Sequence, residues 1–343
     1  MIYTIGYIYS TFFYLLFFRH IKSKNLYYLA SLVPIIIVLI RGFTGVDTVS
    51  YIYIFDQISA GYDANVEVGF YWLTRFMLAF TSDGLLILKV YAVVMLYFFA
   101  TFFGKTPERA SVYILLVMPL FFYDMYMNGI RYGLAYSIAL VAYDQKLKSN
   151  NLLFVFFAIL AFSFHVSSLI FLGLLFANYL KYLNLKSVTA IAMLVGLFIY
   201  FFRDRVIVKL AQYSDIGSPE ALSGLMPLII FLAVLMLVFV SAKKHPSFLL
   251  VFVLCVAELC AFVLSRYTYM GMRIQFIVIL AFFCKLPEII IFKKQAIVLM
   301  LFISLLCFAG RYRNMVNEYG VGPSPFLPYQ YYWDVNPSNI NFI

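Results

Sequence analysis

The sequence predicts an all-α polytopic integral membrane protein of about twelve transmembrane helices, with a re-entrant or interfacial helix on the outer face. Three observations carry that prediction. The first is composition. Of 343 residues 65% are apolar and only 12% charged, with a mean hydropathy of +0.95. A soluble domain is about half apolar and about a quarter charged, because its surface must be wetted. The same numbers exclude disorder, which needs few apolar and many charged residues. The second is segmentation: apolar runs suited to crossing ~30 Å of hydrocarbon recur along the chain. The third is that the connections between them alternate in charge, short and lysine-rich on one side, longer and lysine-poor on the other.

The twelve runs lie at 2–18, 26–40, 85–103, 110–125, 128–145, 151–164, 166–180, 187–202, 225–242, 247–264, 272–291 and 296–310. The first has no basic residue ahead of it and no small-residue cleavage pattern after it, so it reads as a retained helix rather than a removable signal peptide. Arg19, Lys22 and Lys24 follow it, which orients its amino end outward. The stretch from Glu67 to Phe80 is apolar but short, contains Arg75, and would invert every later loop if it spanned. It is therefore expected to lie in the interface or re-enter from the outside, joined to an amphipathic segment from Asp47 to Ser59. No internal repeat or soluble domain interrupts the pattern, so residues 1–343 are expected as one transmembrane domain. Its outer features are loops at 41–84 and 203–224 and a tail at 311–343. Prolines 323, 325, 328 and 337 argue against helix in that tail. Its aromatics place it either at the outer membrane interface or folded over an outward-facing cavity.

The positive-inside rule puts the lysine-rich connections in the cytoplasm and both termini outside. The net charge of +10 then reads as a topology signal and not as a nucleic-acid footprint. On this reading twelve of the fourteen lysines are cytoplasmic, Lys89 and Lys209 excepted. Nine of the eleven arginines are on the outer side, Arg19 and Arg109 excepted. Lysine is a hydrated point charge, whereas arginine is planar, always protonated and suited to two-pronged contacts with phosphate. An outer face built with arginine therefore suggests an anionic ligand. For Arg203, Arg205, Arg311 and Arg313 the favoured alternative is pairing with outer acids such as Asp204 or Asp215, or with lipid head groups.

Four outer segments border apolar runs, where an unpartnered charge is costly. In Arg41-Gly42-Phe43-Thr44-Gly45-Val46-Asp47-Thr48 two glycines permit a tight return holding Asp47 near Arg41. That pair either staples the loop or offers a cation for phosphate and a carboxylate for a sugar hydroxyl. Asn128-Gly129-Ile130-Arg131 opens a helix from the outside, where free N–H groups attract anions and Arg131 would reinforce them. Otherwise Asn128 is a simple cap and Arg131 reaches to the interface. His165, in Phe162-Ser163-Phe164-His165-Val166-Ser167-Ser168, is the one histidine outside a lysine-rich loop, and it serves either as a base or as a packing residue. Arg266 and Arg273 flank a later outer turn, with Glu258 two turns below Arg266 and placed to neutralise it. Cys255, Cys260, Cys284 and Cys307 sit in apolar runs without ligand spacing, so no disulfide or zinc is expected. Serine elbows, zincin motifs, P-loops and dinucleotide fingerprints are missing, and neither a metal nor another cofactor is expected.

Arg41 with Gly45-Val46-Asp47-Thr48 and Tyr51, then Glu67-Val68-Gly69-Phe70, then Met127-Asn128-Gly129-Ile130-Arg131 with Ala135, then Phe164-His165-Val166-Ser167 form an ordered set. It resembles the pattern of the EpsG-like branch of the Wzy-type O-antigen and exopolysaccharide polymerases. Tyr132 stands where that pattern has glutamine and Ser168 where it has alanine. The resemblance implies a membrane glycosyltransferase, with a GT-C-like architecture, acting at the outer face of the bacterial cytoplasmic (inner) membrane. It would transfer a glycan from polyprenyl (undecaprenyl) diphosphate to a hydroxyl of a lipid-linked repeat unit. Arg41, Arg131, Arg266 and Arg273 would bind the diphosphate, with His165 or Asp47 as base. Glu67, Asn128, Tyr51 and Tyr329 would contact the acceptor. The partners implied are polyprenyl-diphosphate-linked glycans, the lipid bilayer and a chain-length regulator or other polysaccharide-assembly proteins, with no nucleic acid. The competing readings are a flippase or transporter for the same lipid-linked oligosaccharide, an outer-face polyprenyl-phosphate-dependent glycosyltransferase, and an acyltransferase.

Overall fold

In the computed structural model the described residues are 2–62, 64–182, 223–243, 248–317 and 325–334. The span expected at 187–202 lies outside them, as do Arg203, Asp204, Arg205 and Asp215 and all of the loop expected at 203–224 except Ser223 and Gly224. The described residues are helical, with isolated backbone bridges and no strand among them. The chain divides into two compact units, 1–172 with 292–343 and 173–291.

The first unit contains α1 (Ile2–Phe17), α2 (Ser23–Leu39), α3 (Thr48–Ser59), α4 (Val68–Leu78), α5 (Gly84–Phe103), α6 (Pro107–Asn128), α7 (Ile130–Leu147) and α8 (Asn151–Phe164). α9 (Ser168–Leu175) leads into the second unit, and α13 (Lys294–Asn317) returns to the first. α6 and α7 form the middle, flanked by α5, α8 and α13. α7 is buried along nearly its whole length, because Gly133, Ala135, Ser137, Ala139 and Ala142 let neighbours come close. The flanking helices are sided instead. On α5, Leu86, Val90, Val93 and Tyr97 are exposed while Leu88, Tyr91, Met95 and Phe99 are buried. An exposed apolar stripe at helical spacing is the face a helix turns to lipid.

α3 and α4 are about 18 Å and 16 Å long at 1.5 Å per residue, too short to span. α4 is two-faced: Phe70 and Thr74 are buried, whereas Val68, Trp72 and Phe76 are exposed. That two-faced burial is the pattern an interfacial helix carries. Phe70 stacks on Tyr91 of α5, with ring centroids 5.2 Å apart, and Thr74 Oγ1 hydrogen-bonds the Tyr91 hydroxyl at 2.7 Å.

Charges confirm which connections share an end of this unit. Asp144, late in α7, pairs with Lys105 and, at 3.3 and 3.2 Å, with Arg109 and Lys148. Ser23 Oγ donates to the Gly104 carbonyl at 2.9 Å. Three lysine-rich connections thus gather at one end, and the segments bearing Arg41, Arg131 and Arg311 lie at the other.

The second unit holds a 3₁₀ turn (Ala177–Tyr182), α10 (Leu225–Ser241), α11 (Phe248–Ser265) and α12 (Tyr269–Ile289). The run at 166–180, expected as one span, is instead the eight-residue α9 followed by this turn. On α11 the residues Phe248, Phe252, Val256, Leu259 and Val263 are exposed, and Leu250, Leu254, Glu258 and Ala261 are buried. Glu258, expected beneath Arg266, instead accepts from Gln275 Nε2 of α12 at 2.7 Å. Among the described residues five helices are long and apolar enough to cross a membrane: α5, α6, α11, α12 and α13. Four more, α1, α2, α8 and α10, are apolar and somewhat shorter.

Two boundaries differ from expectation. The region 123–131 is not an open loop, because α6 continues to Asn128. α13 likewise continues to Asn317, so Arg311 and Arg313 are helical rather than part of the tail. The described part of the tail, 325–334, returns over the turn after α2. Gly42 N–H donates to Gln330 O (2.9 Å), Gly45 N–H to Pro325 O (2.9 Å) and Tyr332 N–H to Ile40 O (2.8 Å). Phe326 is fully buried, and the Tyr332 hydroxyl bonds Asp83 at 2.6 Å. The tail is therefore a strap pinned by backbone hydrogen bonds.

Candidate active site

The arginine-bearing end of the first unit is organised by an irregularity in α6. Pro119 has no N–H and its ring clashes with the carbonyl four residues back. The helix widens into a π-turn at Tyr113–Val117, and a second π-turn, Asp124–Asn128, ends it. Gly129 N–H bonds Asp124 O at 2.8 Å, five residues back. α7 starts immediately afterwards, and Arg131 N–H lies 3.5 Å from the Tyr51 hydroxyl instead of closing on its own helix. The Met127 carbonyl is then free to accept from Arg41 Nη1 at 2.7 Å. π-turns of this kind recur where a helix serves a site.

Arg41 is 2% exposed. Its Nη1 also donates to Thr44 O at 3.4 Å, and Nη2 has no partner among the described residues. The expected Arg41 to Asp47 pair is not formed, because two carbonyls take the guanidinium instead. Burial lowers the Arg41 pKa to about 10, which leaves it charged at neutral pH. Asp47 is half-buried at the residue before α3, and its side chain makes no capping bond to that helix. Asn128 Oδ1 accepts from Val46 N–H at 3.0 Å, so it ends one helix and holds the 41–48 turn instead of capping α7. Gly45, at φ +115°, is in the region that favours glycine. A Cβ there would come within 2.9 Å of Thr48 Oγ1 and 3.0 Å of Asn128 Oδ1.

Beside this turn three of the expected residues meet. Arg131 Nη1 donates to Glu67 Oε2 at 2.9 Å, and His165 Nε2 stands 4.0 Å from Glu67 Oε1. Each comes from a different element: Glu67 precedes α4, Arg131 is in the first turn of α7, and His165 follows α8. Gly69 sets the approach of α4 to α8. A Cβ at Gly69 would lie 2.3 Å from Ser163 Oγ and 2.9 Å from Ser163 O. Tyr51, buried on α3, backs the cluster, and burial raises its hydroxyl pKa so that it stays neutral. Behind His165, Ser167 Oγ is 2.6 Å from Nδ1 and 2.8 Å from the Tyr136 hydroxyl. Ser167 N–H also donates to Nδ1 at 3.2 Å. A donor on Nδ1 places the proton of the neutral ring on Nε2, the nitrogen turned to Glu67.

A second cluster lies alongside. Asp124 accepts from Arg311 at 2.6 Å, from the Tyr132 hydroxyl, and from Asn128 Nδ2 at 3.4 Å. Arg311 is thus paired with an acid, as its sequence context suggests, and that acid is Asp124. Asp124, Tyr136 and Ser167 have no role in the sequence reading. For Asp124 the signal was present, since a lone acid inside Leu120-Phe121-Phe122-Tyr123-Asp124-Met125 needs a partner. Tyr329 packs edge-on against Tyr3 and Tyr331 in the strap, and its hydroxyl bonds Ile37 O. Arg266 and Arg273 are in the second unit, at the end of α11 and in the first turns of α12, with Arg266 over the Phe262 ring at 4.5 Å.

The arrangement provides a buried cation, a second cation shared with a carboxylate, and an imidazole with defined tautomer. These are the groups needed to hold an anion and move a proton. Among the described residues no cluster of three or more His, Cys, Asp or Glu is placed to hold a metal. No curated protein and no solved structure matches the chain. The EpsG family model matches residues 24–331, nearly the whole chain. The chain belongs to the EpsG family, a family of polysaccharide-polymerase-like proteins.

Proposed function

We propose that the protein is a Wzy-type polysaccharide polymerase of the cytoplasmic membrane. It transfers a growing glycan from polyprenyl diphosphate to a hydroxyl of an incoming lipid-linked repeat unit, at the outer face. The observation that carries this reading is the meeting of Arg131, Glu67 and His165 beside Arg41 in a chain of the EpsG family. Cleaving a sugar to diphosphate bond builds negative charge on the leaving group, and preorganised arginines can stabilise it. Arg131 and Arg41 are the diphosphate contacts of the first unit. The acceptor oxygen must also lose a proton, and the groups at this end able to take it are the carboxylates of Glu67 and Asp47 and the imidazole of His165. The interfacial helices α3 and α4 suit substrates whose sugars lie in water and whose lipid lies in the bilayer.

The test is a reconstituted assay. Purified protein in liposomes receives a lipid-linked repeat unit, and products are separated on a gel. The expected result is a ladder of longer glycans that disappears in folded Arg131→Ala. Movement of the lipid between leaflets without a ladder would overturn the reading in favour of a flippase. The diphosphate role expected for Arg266 and Arg273 is read by the same assay in their alanine variants.

A further inference from the structure

We propose that Glu67, not His165, is the base that takes the acceptor proton, and that His165 donates a hydrogen bond to the same acceptor oxygen. This deepens the polymerase reading and rests on it. Three observations lead here. Ser167 N–H donates to His165 Nδ1, and Ser167 Oγ lies 2.6 Å from the same atom. The lone pair of the neutral imidazole is therefore occupied on the side away from Glu67, and the nitrogen facing Glu67 carries hydrogen and offers no lone pair. The second is that Glu67 Oε1 is buried and has no hydrogen-bond partner among the described residues, although Oε2 is held by Arg131. An unsatisfied buried carboxylate oxygen is costly, which marks it as a place a ligand completes. The third is the 4.0 Å between Glu67 Oε1 and His165 Nε2. It is too long for a direct hydrogen bond, and an oxygen set to one side of that line would lie about 2.8 Å from each.

A sugar hydroxyl seated there donates its proton to Glu67 Oε1 and accepts from His165 Nε2–H. Its oxygen then forms the new bond to the anomeric carbon of the donor glycan. The bond from that carbon to the phosphate oxygen breaks, and its electron pair leaves with the polyprenyl diphosphate. The acceptor proton passes to Glu67 and, after release of product, to solvent. Arg131 holds the other carboxylate oxygen, so the reacting one is oriented before the acceptor arrives.

The full-length protein in liposomes with lipid-linked repeat unit separates the two assignments. Glu67→Gln is expected to lower kcat by about 10² to 10⁴ fold, the usual contribution of a general base, with KM changed only a few fold. Glu67→Asp keeps the charge and the Arg131 partner but withdraws the oxygen, and is expected to lose at least tenfold while unfolding at the wild-type temperature. Formate is expected to restore part of the rate to Glu67→Gly. His165→Gln keeps an N–H donor without a basic nitrogen, and is expected to stay within about tenfold of wild type, well above His165→Ala. Glu67→Gln at near wild-type rate with His165→Gln inactive, or rescue of His165→Gly by imidazole without rescue of Glu67→Gly by formate, would overturn the assignment and leave the polymerase reading standing. A wild-type chain that makes no ladder overturns both.

Discussion

Arg131 Nη1 and Glu67 Oε2 meet at 2.9 Å, tying the first turn of the buried helix α7 to the residue that opens the short two-faced helix α4. Removing Arg131 leaves a carboxylate that is mostly shielded from water. Arg131→Ala is expected to cost about 1–3 kcal/mol of stability, read by thermal unfolding in detergent. It is also expected to cost about 10² to 10³ fold in polymer formation. The charge-swapped pair, Glu67→Arg with Arg131→Glu, should recover stability without recovering activity, because the swap moves the cation away from the diphosphate.

The contact of Gly69 with Ser163 predicts a separable effect. Gly69→Ala drives a methyl into the Ser163 hydroxyl and backbone and should lower stability by about 1–3 kcal/mol. Combining it with Ser163→Ala removes the hydroxyl clash but not the carbonyl one. The double variant should therefore regain part of the stability and less of the activity. Equal recovery of both would show that the spacing of α4 and α8 does not set the position of Glu67.

Arg41 gives a prediction with a pH sign. Burial lowers its pKa to about 10, and the same burial acting on a lysine, ordinarily near 10.4, brings it to about 8. In Arg41→Lys both folded and unfolded chains hold the proton below about pH 8, and the full cost of burying the charge is present. From about pH 8 to pH 10 only the unfolded chain holds it, so the variant gains stability as pH rises, by about 1–3 kcal/mol. Unfolding temperatures of variant and wild type across pH 7 to 10 should converge from below. A constant difference would place residue 41 in contact with water.

The strap can be removed. Truncation ahead of Pro325 deletes three backbone hydrogen bonds to the turn at 40–45, worth about 0.5–1.5 kcal/mol each. Hydrogen exchange at Gly42 and Gly45 should rise sharply, with little change along α7. Tyr332→Phe, which loses only the bond to Asp83, should alter exchange there far less.

Much of the helical order was legible because lipid imposes it: apolar runs and alternating lysine loops follow from the bilayer, not from particular partners. That α3 and α4 are separate short helices was legible for the same reason, since neither run is long enough to span. Arg131, Glu67 and His165 could each be singled out, since a charge or imidazole beside an apolar run requires explanation. What could not be read was who meets whom. The proximity of Arg41 and Asp47 in sequence suggested a pair, but Met127, 86 residues away, supplies the carbonyl. The strap leaves no local pattern, because its hydrogen bonds are made by backbone that every residue carries. The 166–180 run failed as a span because apolar composition sets burial and does not set helix length.

The wide turn at Asp124–Asn128 holds one residue more than an ordinary helical turn. Deleting a single residue within it would let the turn close four residues back, with little change of phase downstream, and would shift the Met127 oxygen from the place where it accepts from Arg41. In this protein a surplus residue in an apolar helix is what leaves a backbone oxygen open to a distant cation.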